Sequence, residues 1–180
     1  VLRSLNIRVV LIHGAAEQIA QLAEEQSLTP SNLDGTGITD DATLKLALTA
    51  ANGLTHEILE GFATNDLRAA NANAVAAHPL GILAGTDHQN TGQVERIDTE
   101  LLQTLLAQGI TPVIPPLGFD GEGNTFRLNS DSVAHCVAEA LQATKLIFIS
   151  TTDGLQRDGA IVRQILSTEL QATLADEPDR

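Results

Sequence analysis

The sequence of 180 residues contains no methionine, tryptophan or tyrosine, one cysteine and only two lysines. With four phenylalanines as its only large aromatic residues, it has few rings on which nucleobases could stack. Acidic side chains outnumber basic ones by 23 to 10, and a formal net charge of −13 repels nucleic acids and anionic membranes. A single cysteine excludes an intrachain disulfide and a cysteine-rich metal site. The composition therefore predicts no nucleic-acid partner and no membrane partner.

Several sequence signals of location and of metal or phosphate chemistry are also missing. There is no secretory signal and no apolar run of membrane-spanning length, so we expect a cytoplasmic protein. The five histidines are scattered rather than spaced as metal ligands, which predicts no metal site. The phosphate-loop pattern GxxxxGK[ST] is absent. Because a chain without methionine lacks its own start residue, we expect a fragment of a longer protein.

The hydrophobic pattern alternates between strands and helices, which predicts an α/β fold around a mainly parallel sheet. Continuous apolar runs predict strands buried on both faces at 8–12, 110–114 and 145–150. Apolar residues at helical spacing predict helices at about 17–26, 40–59, 99–108, 131–141 and 167–174. The predicted caps of the last four are Thr39 or Asp40, Asp98 or Thr99, Ser130, and Ser167. Turn dipeptides predict hairpins at 117–128 and 156–162, whereas residues 65–73 give no clear pattern.

The turn His13-Gly14-Ala15-Ala16 joins the first predicted strand to the first predicted helix. Such a turn directs backbone N–H groups and a helix N-terminus at one point, an arrangement that suits a phosphate or a carboxylate. Any strand–turn–helix unit makes a similar turn, so a purely structural role stays open.

Ligands of open α/β sheets gather at the carboxyl ends of the strands, and two further segments lie at such ends. The hairpin at 117–128 brings Arg127, Asn129 and Asp131 to a helix start. Arg127 is either a bidentate partner for a carboxylate or an exposed hairpin arginine. Asp131 is either a site residue or a group that stabilises the helix dipole. After the third predicted strand, Asp153-Gly154 either orients a ribose or phosphate or forms a tight turn.

Six segments together resemble the amino-acid-kinase family: VVLIHGAAEQI, DGTGITDDATL, HPLGILAGTD, TGQVERID, GITPVIPPLGFDGEGNTFRLNSDSVA and ATKLIFISTTDGL. Within it they are most similar to the N-terminal kinase-like domain of bacterial N-acetylglutamate synthases, and next to the N-acetylglutamate kinases. The resemblance implies a three-layer αβα sandwich, truncated at both ends. It also implies an amino-acid-binding half at about 1–115 and the start of a nucleotide-binding half at about 116–180.

The same resemblance implies roles for individual residues. The residues that it places at a substrate or effector site are Gly14, Ala15, Arg127, Asn129 and Asp131. Those that would lie beside a nucleotide in a kinase are Thr152, Asp153 and Gly154.

This chain departs from the kinase pattern at several positions. The kinase glycine triplet is replaced by Gly14-Ala15-Ala16, and the carboxylate-clamping arginine of the GLRVT motif by Gly37. Arg127 replaces the substrate-binding asparagine, and neither Lys45 nor Lys145 lies where the kinases have a catalytic lysine. Phosphoryl transfer depends on positive charge placed around the transferred group. We therefore expect no catalytic residue and no kinase activity in this segment.

The resemblance implies that the full protein acetylates L-glutamate with acetyl-CoA, the first step of arginine biosynthesis. This segment would then be regulatory, binding L-arginine without a cofactor of its own, within a homo-oligomer. The first alternative is a fragment of an N-acetylglutamate kinase, which phosphorylates N-acetyl-L-glutamate with ATP and Mg²⁺. The second is a non-catalytic sensor on the same fold.

Overall fold

The computed structural model describes residues 7–151, 154, 156–157 and 160–168. The chain divides into two compact units, 1–146 and 147–180. The first unit contains four helices and nine strands among its described residues: β1 (Leu11–Ile12), α1 (Ala16–Glu25), α2 (Asp41–Thr64), β2 (Ala69–Asn71), β3 (Val75–Pro79), β4 (Ile82–Leu83), β5 (Thr86–Asp87), β6 (Gly92–Ile97), α3 (Thr99–Ala107), β7 (Thr111–Ile114), β8 (Leu117–Phe119), β9 (Thr125–Arg127) and α4 (Ser130–Ala140). In the second unit, β10 (Gln156–Arg157) and β11 (Ala160–Ile161) form the hairpin that the sequence predicts.

Two sheets organise the first unit. A parallel sheet has the order β1-β7-β2, with Leu11 opposite Val113 and Ala69 opposite Thr111. A mixed sheet has the order β6-β3-β8-β9, and a bridge between Thr91 and Arg127 joins the start of β6 to the end of β9. β4 and β5 pair only with each other among the described strands. The α/β class and the predicted hairpin at 117–128, now β8 and β9, are confirmed.

The helices pack in two groups. α3 and α4 contribute Leu102, Val133 and Val137 to one hydrophobic cluster, whereas α1 and α2 build a second cluster around Ile19 and Leu46. Two separate helical clusters are what an αβα sandwich requires, because each face of a parallel sheet must be covered. No described helix combines the length and the apolar composition that crossing a membrane would need.

Local side-chain caps explain where the helices begin. The carboxylates of Asp40 and Asp98 accept hydrogen bonds from the backbone N–H groups of Thr43 and Leu101, which satisfies donors that a helix start leaves unpaired. Both helix starts are as predicted. The sequence places the cap of the next helix at Ser130, but Asn129 caps it instead, by accepting from the Ser132 N–H.

Three sequence expectations differ from the structure. Residues 145–150 form no strand, and the side chains of Ile147, Phe148 and Ile149 are exposed, so the predicted third buried strand is wrong. The first predicted strand is shorter and only half-buried, and among the described strands β1 stands at one end of the order β1-β7-β2. The unclear stretch at 65–73 contains β2, which pairs with β7. An apolar run encodes a tendency to be buried, but the neighbouring strand that completes its hydrogen bonds lies elsewhere in the sequence.

Two further expectations are not decided by the structure. Of the predicted helix at 167–174, only Ser167 and Thr168 are described, and both are helical. The functional halves at about 1–115 and 116–180 stay a prediction.

Candidate functional site

A cleft of about 140 Å³ lies in the first unit, where the turn after β1 meets the residues that follow β9. All of the residues predicted to bind substrate or effector line it: Gly14, Ala15, Arg127, Asn129 and Asp131. Drug-sized and cofactor pockets usually measure about 300–1,000 Å³, so this cleft suits a small ligand or one end of it. The structure therefore brings the five residues together, while their binding role stays a prediction.

The turn after β1 is held by His13. Its buried ring places Nε2 2.8 Å from Thr55 Oγ1 on α2 and Nδ1 3.0 Å from the Gly14 carbonyl oxygen. The Thr55 hydroxyl in turn donates to the Ala51 carbonyl within α2. These contacts fix the backbone of Gly14 at the cleft. The contact between His13 and Thr55 was not predicted, because it spans 42 positions of sequence.

Two helix N-termini meet at this cleft. Gly14 lies so close to the start of α4 that a Cβ atom on it would be 3.2 Å from the Ser130 hydroxyl oxygen. Ala15 is the buried N-cap residue of α1 and supplies no side-chain cap. Partial positive charge at helix N-termini favours an anionic group, such as the carboxylate of an amino acid.

Arg127 is buried, so the interpretation as an exposed hairpin arginine is wrong. Its Nη1 donates to the Asn32 carbonyl oxygen at 2.7 Å and to Asn32 Oδ1 at 3.2 Å, and its Nη2 donates to the Leu33 carbonyl oxygen. Burial lowers the pKa of Arg127 while the nearby Asp34 carboxylate raises it, and the guanidinium stays charged at neutral pH. The guanidinium of Arg127 is therefore hydrogen-bonded to the loop at 32–35, which lies 95 positions away in sequence.

Asn129 fastens the same loop. Its Oδ1 caps α4, and its Nδ2 donates to the Asp34 carbonyl oxygen at 3.1 Å. The Asp34 carboxylate accepts from both the N–H and the hydroxyl of Thr36, and these hydrogen bonds lower its pKa. Leu33 and Asp34 therefore form one wall of the cleft. The sequence predicts no site role for either residue, since a polar, turn-rich loop does not reveal its distant partner.

The remaining predicted residues are placed as follows. Asp131 is exposed in the first turn of α4, a position that suits both a ligand contact and stabilisation of the helix dipole. Thr152 and Asp153 lie outside the described residues. Gly154 is exposed with φ +119°, a conformation that favours glycine and fits the tight-turn interpretation. A nucleotide-binding role for these three residues stays a prediction.

The charge of the cleft follows from this arrangement. Among the described residues, the charged side chains that line it are Asp34, Asp131 and Arg127, and neither lysine is among them. Arg127 donates to carbonyl groups of the loop and Asp34 Oδ1 accepts from Thr36, so among the described residues the Asp131 carboxylate is the charged group of the lining that has no hydrogen-bond partner. A cationic group, such as an ammonium or a guanidinium, is the complementary partner.

Burial lowers the pKa of His13, opposed by its contact with the Gly14 carbonyl, so the folded protein binds fewer protons near this residue than the unfolded chain. We expect the contribution of His13 to stability to be present above about pH 6.5, the unfolded-state value, and to be lost as the pH falls through the folded-state pKa. In urea unfolding across pH 5–8, His13→Gln should show a smaller loss of unfolding free energy at acid pH than the wild type.

The matched control for this experiment is His56→Gln, because the His56 side chain is exposed and its Nε2 lies 3.3 Å from Glu60 Oε1 on the same helix. At pH 8 this variant should change the unfolding free energy by no more than about 0.5 kcal/mol, as is usual for surface positions. Equal pH dependence of His13→Gln and wild type would contradict the prediction.

Comparison with known proteins agrees with this fold. The model of the amino acid kinase family matches residues 1–173. An acetylglutamate kinase of Pelodictyon phaeoclathratiforme is 31% identical over 172 residues, which cover 93% of this chain and 57% of the relative. An amino-acid acetyltransferase of Pseudomonas fluorescens is 35% identical over 184 residues, covering 96% of this chain and 42% of the relative.

Solved structures show the same likeness. The N-acetylglutamate synthase of Neisseria gonorrhoeae, complexed with coenzyme A and N-acetyl-glutamate, superposes with a TM-score of 0.86 at 32% identity, covering 98% of this chain and 42% of the synthase. Its complex with coenzyme A and L-arginine gives a TM-score of 0.84, covering 98% of this chain and 43% of the synthase. The chain thus spans 57% of the length of this kinase and 42% of the length of this acetyltransferase.

Proposed function

Because this chain belongs to the amino acid kinase family, we propose that it is the kinase-like domain of an N-acetylglutamate synthase and binds a free amino acid, L-arginine, as effector. The relatives named as acetyltransferases and the synthase structure with L-arginine support this choice. The full protein would transfer an acetyl group from acetyl-CoA to the α-amino group of L-glutamate. We place that step in a part of the protein other than this segment.

The charge of the cleft is the observation that carries the proposal. A kinase site must stabilise the negative charge of a transferring phosphoryl group, which lysines, arginines and metal ions do. Here the lining residues carry two carboxylates, of Asp34 and Asp131, and one guanidinium, that of Arg127, which is engaged with the loop. Such a lining disfavours ATP and suits the cationic groups of L-arginine, while the two helix N-termini suit its carboxylate.

The test is an assay of the full-length protein. With acetyl-CoA and L-glutamate we expect release of coenzyme A, followed with a thiol reagent, and we expect L-arginine to change that rate. With ATP and N-acetyl-L-glutamate we expect no ADP. Formation of ADP without release of coenzyme A would contradict the proposal.

A fragment of an N-acetylglutamate kinase is the second candidate. Two observations favour it: the 31% identity to an acetylglutamate kinase and the two helix N-termini at the cleft, which suit phosphate as well as carboxylate. In that case ATP and Mg²⁺ would be needed, and residues 152–154 would lie beside the nucleotide. Protection of the full protein against thermal unfolding by ATP, but not by L-arginine, would favour this candidate.

A cytoplasmic location and a homo-oligomeric assembly of the full protein belong to the same proposal. The acidic composition argues against nucleic acids and anionic membranes as partners.

A further inference from the structure

The loop segment at residues 32–35, called the strap from here on, is attached to the strand end at β9 mainly by side chains. Arg127 donates to Asn32 and Leu33, and Asn129 donates to the Asp34 carbonyl. Gly35 is buried with φ +79°, and a Cβ atom on it would lie 2.6 Å from the Leu128 carbonyl oxygen. The strap therefore rests directly on the backbone that follows β9.

The strap has its own internal support at Asn32. Asn32 Oδ1 accepts from the Gly35 N–H at 2.8 Å and from Arg127 Nη1, while its Nδ2 donates to the Ile38 carbonyl and to Thr39 Oγ1. The amide of Asn32 thus links the guanidinium to both ends of the loop. Because of this link, we expect a change at Arg127 to displace the rest of the strap.

Arg127 holds the strap strongly because its guanidinium is both charged and buried. Its side chain is 3% exposed, and a buried guanidinium must keep its hydrogen-bond partners because leaving it unpaired is strongly unfavourable. The two guanidinium arms reach carbonyls of adjacent residues, a geometry that a planar fork satisfies and a lysine ammonium does not. Charge-assisted bonds of this kind are stronger than neutral ones.

We propose that Arg127 is a positioning residue, which holds the strap as one wall of the cleft and does not itself bind the ligand's carboxylate. Ligand affinity then depends on Arg127 only through the position of Leu33 and Asp34. This inference rests on the proposed binding of an amino acid in the cleft, but the attachment of the strap is independent of any ligand.

The ligand-free half of the test is residue-resolved hydrogen exchange in the full-length protein. In Arg127→Gln we expect the amides of Gly35 and Thr36 to exchange at least about tenfold faster than in the wild type, because hydrogen bonds to a charged group are lost. Arg127→Lys should not restore the wild-type rate, since it keeps the charge without the fork. Unchanged exchange in β7 serves as the folding control. Unchanged exchange at Gly35 and Thr36 would overturn the proposal.

The ligand half compares L-arginine with L-argininamide, which lacks the carboxylate, by titration calorimetry. If Arg127 only positions the strap, Arg127→Lys, which keeps the charge at the cleft, weakens binding of both compounds by the same factor. A larger loss for L-arginine than for L-argininamide would identify Arg127 as a carboxylate clamp and overturn the proposal.

Gly35→Ala is an independent way to displace the strap from the backbone after β9, because the added Cβ atom would meet that backbone without any change of charge. It should weaken both ligands as Arg127→Lys does, and wild-type affinity in this variant would count against the proposal. If the wild type binds neither compound, the proposed function fails, and the exchange rates still decide whether Arg127 holds the strap.

Discussion

Replacing Gly118 by valine is expected to destabilise the first unit by at least about 3 kcal/mol, the upper range for overpacking a well-packed core. A Cβ atom at Gly118 would lie 2.5 Å from Ala77 Cβ and 2.9 Å from Leu128 Cδ1. Both neighbours are almost fully buried, so neither can move away without disturbing the core. Urea unfolding of the protein, followed by circular dichroism, measures the loss.

The control is Gly121→Ala, at a turn where an added Cβ atom would meet nothing within 4 Å. This change should alter the free energy of unfolding by no more than about 0.5 kcal/mol, as is usual for surface positions. Gly118→Ala should still be clearly destabilising, because the first added carbon already makes the close contacts. Wild-type stability of Gly118→Ala would show that β3 and β8 pack less tightly than the structure has them.

Replacing Asp131 by asparagine is expected to lower the affinity of the full-length protein for L-arginine about tenfold. A charge-assisted hydrogen bond contributes about 1.5–3 kcal/mol, and the lower end applies to an exposed carboxylate such as this one. The substitution keeps the size of the side chain and removes its charge. Titration calorimetry of wild type and variant with L-arginine measures the change.

L-citrulline, a neutral analogue of similar shape, shows whether charge is the cause. The wild type should prefer L-arginine to L-citrulline, and Asp131→Asn should lose much of this preference. Asp41→Asn is the matched control, since Asp41 also lies in the first turn of a helix but does not line the cleft. Equal affinity of wild type and Asp131→Asn for L-arginine would leave Asp131 with only its effect on the helix dipole.

The proposed regulatory role and the likeness to kinases both depend on the backbone arrangement around the cleft. The turn after β1 and the start of α4 keep two helix N-termini together, which an anion-binding site needs. Two features alter which ligands this backbone arrangement favours. Residues 15 and 16 are alanines, and the guanidinium of Arg127 is hydrogen-bonded to the loop. Under the proposed function, a fold shared with kinases carries a site whose charges favour binding over phosphoryl transfer.

The sequence by itself determined the features that depend on neighbouring residues. Caps at Asp40 and Asp98, the β8–β9 hairpin and the alternation of strands and helices all rest on local backbone chemistry and side-chain spacing. The order of the motifs also predicted the family, which the family model confirmed. It grouped Gly14, Arg127 and Asp131 at one site, and the structure places all three at one cleft.

Only the tertiary structure decided what depends on distant partners. The guanidinium of Arg127 is paired with a loop 95 positions away, and the exposed run at 147–149 has the composition of a buried strand. The restriction at Gly118 likewise comes from Ala77 and Leu128, which no local pattern connects to it. Hydrophobicity and propensity are properties of a segment, whereas hydrogen-bond partners and close packing are properties of two segments brought together by the fold.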